Sequence, residues 1–205
     1  MSFLFEPENI LPYDGIAIYH GIVFNEQAAN GICKDLLDTI PWKQDEVLMF
    51  GKKIITKRKV AWYADAGITY TYAGVKKSGL EWTSALVSIK QKVEAMTGAK
   101  YNACLLNLYH EGEEGMGWHR DNEKEIVVGS SIASLSFGAV RKFAFKHATT
   151  NERMEIELAN GSLLDMKGAI QQHWYHSLPK TTRIKQLRIN LTFRLMQIDD
   201  NVPIR

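Results

Sequence analysis

The sequence predicts a mainly β fold of the α+β class, a sandwich or barrel of short strands with helices buttressing one side. Three observations predict it. Helical periodicity is confined to two early segments. From about residue 101 the apolar period changes to two. The strand candidates that follow are short and are separated by turns. A chain of 205 residues, 45% hydrophobic and 23% charged, has the length and composition of one globular domain with a sizeable core. The reading is therefore a single domain over 1–205.

Each element has a local reason. Residues 1–24 read as an extended or loosely stranded lead-in. In "NEQAANGICKDLLDTI" the residues Ile32, Leu36, Leu37 and Ile40 recur at helical spacing, and Pro41 stops the helix. Residues 47–74 are strand and loop, with β-formers broken by a basic run. "EWTSALVSIKQKVEAMTG" is a second helix whose apolar face holds Leu86, Ile89, Val93 and Met96, and Gly98 closes it. In "YNACLLNLYH" the period is two: Ala103, Leu105, Asn107 and Tyr109 point one way, and Cys104, Leu106 and Leu108 the other. "SIASLSFG", "KFAFKH", "MEIEL", "SLLDM", "QHWYHSL" and "QLRINLTFRLM" continue as strands, with "NGS" and "KGA" as turns.

Composition narrows the function classes. The formal charge of +2 gives no bulk electrostatic argument for nucleic acid, so any such argument has to be local. Two cysteines, Cys33 and Cys104, without a C-x-x-C, fit a reducing compartment and no disulfide framework. "MSFLFEPENILPYDG" has no basic n-region, so no signal peptide is expected. No apolar run approaches the ~20 residues that span a bilayer, so no membrane partner is expected.

The chemistry begins at "GMGWHRDNE". His119 and Asp121 stand at i and i+2, which share a face in an extended segment, so one ion is within reach of both. An H-x-D pair alone is a weak pattern and is more often ordinary polarity. A third ligand from a distant strand would complete the 2-His-1-carboxylate triad of non-haem iron(II) oxygenases, with open positions for cosubstrate and oxygen. "QQHWYHSLP" offers His173 or His176 for it. In "LRINLTFR", Arg188, Asn190, Thr192 and Arg194 alternate with Leu187, Ile189, Leu191 and Phe193. A solvent-facing strand gives that alternation, and so does a clamp for a dicarboxylate, which arginine grips in a bidentate fork. Asn107 and Tyr109 would supply a facing wall.

Together these pieces resemble the AlkB family of iron(II)- and 2-oxoglutarate-dependent dioxygenases, which repair alkylated nucleic-acid bases. The resemblance covers roughly residues 45–196. It runs in family order through "FGK", "WYADAGITYTYAG", "NLY", "WHRDNE", "IASLSFGA", "GSLLDM", "HWYHSLPK" and "RINLTFR". "FGK" and "DAGITYTYAG" are similar to the duplex-DNA-repairing branch. The resemblance implies a double-stranded β-helix, or jelly roll, over about 101–196, with a nucleotide-recognition lid over about 45–80. It implies His119, Asp121 and His176 as iron ligands, which selects His176 over His173. It implies Asn107, Tyr109, Arg188, Asn190, Thr192 and Arg194 as 2-oxoglutarate contacts: Arg188, Tyr109 and Asn190 at the far carboxylate, Arg194 and Asn107 at the carboxylate beside the keto group.

The implied reaction oxidises the N-methyl carbon of 1-methyladenine or 3-methylcytosine, with Fe(II), 2-oxoglutarate and O2 as cofactor and cosubstrates. Formaldehyde leaves and the base is restored. A Watson–Crick nitrogen is hidden in a duplex, so the base is flipped. Phe50, supported by Met49 and followed by Gly51 and Lys52, matches an apolar finger that fills the gap; a lone Phe is more often core. Tyr70, Thr71 and Tyr72 fall in the lid, Tyr72 to stack on the base and Tyr70 to donate a hydrogen bond. Asn122 and Glu123 face the base edge. "KKIITKRK" holds five of the 25 basic residues, and Arg58 within it aligns with a DNA-contacting arginine. Arg141, Lys142 and Lys146 extend that basic rim. The chain departs from the branch at Lys57, Asn122 and Ala73, all on the substrate side.

The expected partner is alkylated DNA, double-stranded with a flipped base. Single-stranded DNA or RNA is the alternative form, and the protein is expected to act as a monomer in the cytoplasm, or in the nucleus of a eukaryote. Two further readings are the same oxygenase chemistry on RNA or protein, and a catalytically silent module that recognises alkylated bases.

Overall fold

The computed structural model describes residues 8–49, 52–72 and 75–197, with the backbone alone at 45–49, 52–54, 70–72 and 75–77. The chain runs β1 (Ile16–Ile22), α1 (Glu26–Thr39), β2 (Lys43–Met49), β3 (Lys52–Ala64), β4 (Thr69–Tyr72), β5 (Val75–Ser78) and α2 (Ser84–Thr97). It continues β6 (Ala103–Tyr109), β7 (Met116–His119), β8 (Ile132–Gly138), β9 (Arg141–His147), β10 (Arg153–Leu158), β11 (Ser162–Lys167), α3 (Ile170–His173), β12 (Trp174–Leu178) and β13 (Arg188–Arg194).

Among the described residues, seven strands form one sheet in the order β1-β11-β8-β13-β6-β3-β2, and four form a second in the order β10-β9-β12-β7. The two sheets are the jelly roll of the sequence reading. A separate hairpin pairs β4 with β5.

The helices begin and end on local chemistry. Asn25 caps α1 by accepting from the Ala28 amide at 2.9 Å, and Thr83 caps α2 by accepting from the Leu86 amide at 3.2 Å. Gly98 closes α2 at φ +70°, a left-handed conformation that glycine takes without strain. Ala29 and Leu36 on α1, Ile40 just after it, and Leu86, Ile89 and Val93 on α2 enter one buried cluster with Cys104, Leu106, Leu108, Ile189, Leu191 and Phe193. Two members of the expected apolar faces are not buried: Leu37 is 38% exposed and Met96 43% exposed. At about 100° per residue, Leu37 stands roughly 60° outside the α1 buried stripe, whereas Met96 stands only about 20° from Ile89 and is exposed at the last turn of α2.

The large sheet therefore has two covered faces. Helices cover one, and the small sheet covers the other. The second face and the small sheet enclose a second cluster, with Phe143, Phe145, Leu164, Met166 and Trp174. This changes the meaning of the alternation in β13, every residue of which is buried. Its apolar residues face the helices, and its polar residues face the space between the sheets.

"QHWYHSL" is not one strand as expected. Gly168 turns the chain at φ +69°, a single helical turn takes Ile170–His173, and the strand starts only at Trp174. Arg141 does not belong to a basic rim. It is 1% exposed, and its guanidinium donates to the carbonyls of Gly112, Glu114 and Pro179 at 3.0–3.2 Å and of Glu111 at 3.4 Å. Backbone carbonyls that no strand can satisfy draw the cation inward.

Candidate active site

The site starts from a strand register. β12 pairs antiparallel with β7, and His176 lies directly across from His119. Directly paired residues project to the same face, so both imidazoles point between the sheets. Their ring centroids are 4.2 Å apart. Asp121, just past the end of β7, is held by its amide, which donates to Gln171 Oε1 at 2.9 Å. One ligand-type atom from each of His119, Asp121 and His176 lies within 4.8 Å of the others, close enough to share one metal ion.

The protonation states suit a metal. His119 Nδ1 lies 2.8 Å from the Gly117 carbonyl, which can only accept, so the proton sits on Nδ1 and the Nε2 lone pair is available. Burial pushes His176 down to about 3, which leaves it neutral at pH 7. Burial opposes the charge of Asp121, but Arg194 and the two imidazoles outweigh it and hold the carboxyl at about 2. Arg194 Nη2 is 3.0 Å from Asp121 Oδ1. Phe143 stacks against His176 at 5.5 Å between centroids.

The polar face of β13 forms the opposite wall. Arg188 is the register partner of Tyr109, and Asn190 that of Asn107. Arg188 is 2% exposed and lies 5.6 Å from the centre of the Tyr109 ring. Its Nη2 donates to Ser136 Oγ at 2.8 Å, while its Nε is buried without a partner. Burial lowers its pKa, and no carboxylate among the described residues is within ion-pair distance of it. A buried guanidinium without an anion is costly, and a ligand carboxylate would remove that cost. Asn190 Nδ2 donates to Ser134 Oγ at 2.8 Å, and Thr192 Oγ1 donates to Asn190 Oδ1 at 3.0 Å. Asn107 Oδ1 is buried without a partner.

All nine of these triad and clamp residues line one cavity of about 790 Å3. Arg58, Trp62, Met116 and Glu123 line it too. Arg58 is 9% exposed, so it forms cavity wall and not open basic surface. Asn122 is exposed and does not line the cavity, unlike Glu123. Burial raises the Glu123 carboxyl's pKa, with Arg194 acting against that shift. Phe50 and Gly51 lie outside the described residues; Met49 and Lys52 are the paired strand ends beside them. Tyr70, Thr71 and Tyr72 are on β4, opposite Lys77, Lys76 and Val75.

His173 goes elsewhere. Its ring stacks over His147, whose Nε2 is 3.3 Å from Asp14 Oδ2. The Thr150 amide donates to His147 Nδ1 at 3.1 Å, which leaves the proton on Nε2, facing Asp14. Beside them the lead-in segment is tied to the small sheet where Trp174 Nε1 donates to the Tyr13 carbonyl at 3.0 Å. Sequence reasoning missed Ser134, Ser136, Phe143 and Met116. Ser134 and Ser136 alternate with Ala133, Leu135 and Phe137 in "SIASLSFG", a signal that a polar β8 face was available.

Residues 15–194 match the 2OG-Fe(II) oxygenase superfamily. The chain belongs to that superfamily. Relatives of this oxygenase include the DNA oxidative demethylase ALKBH2 of Bos taurus, 38% identical over 192 residues, covering 88% of this chain and 69% of the relative. Human ALKBH2 is 37% identical, covering 88% of this chain and 74% of its own. Human alpha-ketoglutarate-dependent dioxygenase alkB homolog 3 is 34% identical over 194 residues, 90% of this chain and 67% of its own. The structure of OsALKBH1 shares the fold, with a TM-score of 0.56 at 14% identity, covering 90% of this chain and 98% of that one. The oxygenase is thus a dioxygenase that uses Fe(II), 2-oxoglutarate and O2. Its residues fit that set: two imidazoles and a carboxylate for the metal, and buried guanidinium and amide groups for a dicarboxylate.

Proposed function

We propose that this dioxygenase repairs DNA by oxidative demethylation of N-alkylated bases, with 1-methyladenine and 3-methylcytosine as substrates. The observation that carries the proposal is the His176–His119 register with Asp121 beside it, in the same cavity as Arg188. The similarity to demethylases named for DNA supports the substrate class.

In this reading His119, Asp121 and His176 hold Fe(II). Arg188, Tyr109 and Asn190 hold the far carboxylate of 2-oxoglutarate, and Arg194 and Asn107 the carboxylate next to the keto group. Arg194 serves Asp121 as well, since a guanidinium carries five donors in a fixed fork. The bound metal, 2-oxoglutarate and O2 would supply the oxidation: one oxygen atom turns the N-methyl group into N-hydroxymethyl, which releases formaldehyde, and the other enters succinate as 2-oxoglutarate loses carbon dioxide. The protein's own part is to orient and to exclude water. Phe143 fixes the His176 ring, and the two sheets wall the cavity on both sides of the triad. Glu123 faces the base, and a cationic alkylated base beside it favours its carboxylate form. Phe50 fills the gap left by the flipped base of a duplex, and the lid of 45–80 closes over the nucleotide within a single domain. The enzyme works where DNA is kept, in the cytoplasm or in the nucleus of a eukaryote.

The test is mass spectrometry of oligonucleotides carrying 1-methyladenine or 3-methylcytosine, with Fe(II), 2-oxoglutarate and ascorbate. The expected result is loss of one methyl group only when metal and cosubstrate are both present. Succinate release without base repair would redirect the substrate to RNA or protein. His119→Ala is expected to abolish turnover, and iron-dependent activity surviving that change would overturn the triad.

A further inference from the structure

The outer face of the four-stranded sheet carries a cluster that the cavity does not use. Lys146 on β9 is the register partner of Arg153 on β10 and of Tyr175 on β12. Trp118, on edge strand β7, projects to the same face, while its chain neighbour His119 turns into the cavity. Lys146 Nζ lies 5.2 Å from the centre of the Trp118 ring and 5.7 Å from that of Tyr175. The Arg153 guanidinium lies 5.8 Å from Trp118, and that of Arg120 lies 4.6 Å from Tyr175. Arg120 Nη1 also donates to the Gln172 carbonyl at 2.7 Å.

Three cations are thus interleaved with two aromatic rings, one residue from the triad. Among the described residues none of the three cations has a carboxylate within ion-pair distance. Glu155, on the same face of β10, is engaged by Lys142 at 2.7 Å. Trp118 is 39% exposed, an unusual position for the largest apolar side chain unless something covers it. Glu155 and Glu157 alternate with Lys142 on the far part of this face, whereas the indole stands beside Lys146 and Arg153.

We propose that this face is a stacking platform for single-stranded DNA that leaves the cavity mouth. A base flanking the lesion stacks on Trp118, and its phosphates lie against Lys146, Arg153 and Arg120. Tyr175 keeps Arg120 and Lys146 in place by cation–π contact. A duplex presents phosphates but no open base face, so the indole selects an unpaired flank. The inference rests on the demethylase reading for its substrate and extends it to the nucleotides beside the lesion.

The experiment is fluorescence anisotropy of the intact protein with an unmodified fifteen-nucleotide oligothymidylate and with a duplex of equal length. Turnover of a trinucleotide carrying 1-methyladenine, too short to leave the cavity and reach the platform, is measured in parallel. Trp118→Ala is expected to weaken oligothymidylate binding about fivefold or more, with duplex binding and trinucleotide turnover unchanged. Trp118→Phe should retain most of the affinity, because a phenyl ring still stacks. Lys146→Ala should lower the salt slope for the single strand by about 0.7. Unchanged oligothymidylate binding in Trp118→Ala overturns the proposal. So does an equal loss on single strand and duplex, or a loss of binding that tracks a loss of trinucleotide turnover. The binding arm needs no turnover, so an inactive trinucleotide counts against the demethylase reading alone.

Discussion

Asp121 is the residue on which the site's electrostatics turn. It is buried, yet Arg194 and two imidazoles keep it ionised at about 2, while burial keeps His176 neutral down to about 3. The metal-free protein should therefore lose stability on acidification in two overlapping windows. The unfolded chain protonates His176 from its ordinary 6.5, and the native state does not until about 3, so stability falls as pH drops below 6.5. The Asp121 contribution is complete above its ordinary value of 3.8 and is lost as pH falls toward 2. Thermal unfolding of the metal-free protein should show a melting temperature that declines steadily from pH 7 to pH 4. His176→Gln should flatten that slope; an unaltered slope would reject the assignment. Cys104 belongs to the same scale: burial pushes its thiol far up, so it should resist thiol reagents in the native state and react only on unfolding.

At the scale of elements, Arg141 joins segments that the active site needs. It donates to carbonyls in the loop before β7, which carries His119, and to Pro179 after β12, which carries His176. Arg141→Leu removes the donor to the Glu114 and Pro179 carbonyls, so we expect about 2–4 kcal/mol of destabilisation in urea unfolding. Iron affinity should fall with it, because the β7–β12 register loses its tie. Gly161 is a second structural point. Its φ is +75°, and an added Cβ would sit 2.3 Å from the Phe24 carbonyl oxygen. Gly161→Ala should cost about 1–3 kcal/mol by the same measurement, as the turn into β11 is strained.

For the whole molecule, two surfaces compete to set the preferred strand form. Phe50 lies in the sequence between the end of β2 and the start of β3, and Trp118 lies on the edge of the small sheet. Phe50→Ala should reduce repair of duplex more than of single strands; Trp118→Ala should do the reverse. Competition assays with equal amounts of both substrates read the ratio directly. Equal losses on both forms in Phe50→Ala would remove the finger.

Much of this was legible in one dimension. Stops and turns act within a few residues, so Pro41 and Gly98 announced their helix ends, while the caps Asn25 and Thr83 were read only from the structure. The period of two in β6 and β13 separated Asn107 and Tyr109, and Arg188, Asn190, Thr192 and Arg194, from their apolar neighbours. H-x-D supplied two metal donors because i and i+2 are linked by local geometry alone. Leu37 and Met96 were misjudged because spacing defines a stripe but not its width, which the packed sheet sets. Arg141 was misjudged because nothing local says that a distant loop leaves carbonyls to be satisfied.

The sequence by itself determined the chemistry on offer: which side chains alternate, which cap and which can ligate. Only the tertiary structure decided where each face looks. The polar face of β13 is buried because helices cover one side of its sheet and the small sheet the other. His176 rather than His173 meets His119 because β12 begins after a helical turn and pairs with β7. Such pairings are made between segments far apart in the chain, and no local propensity encodes their register.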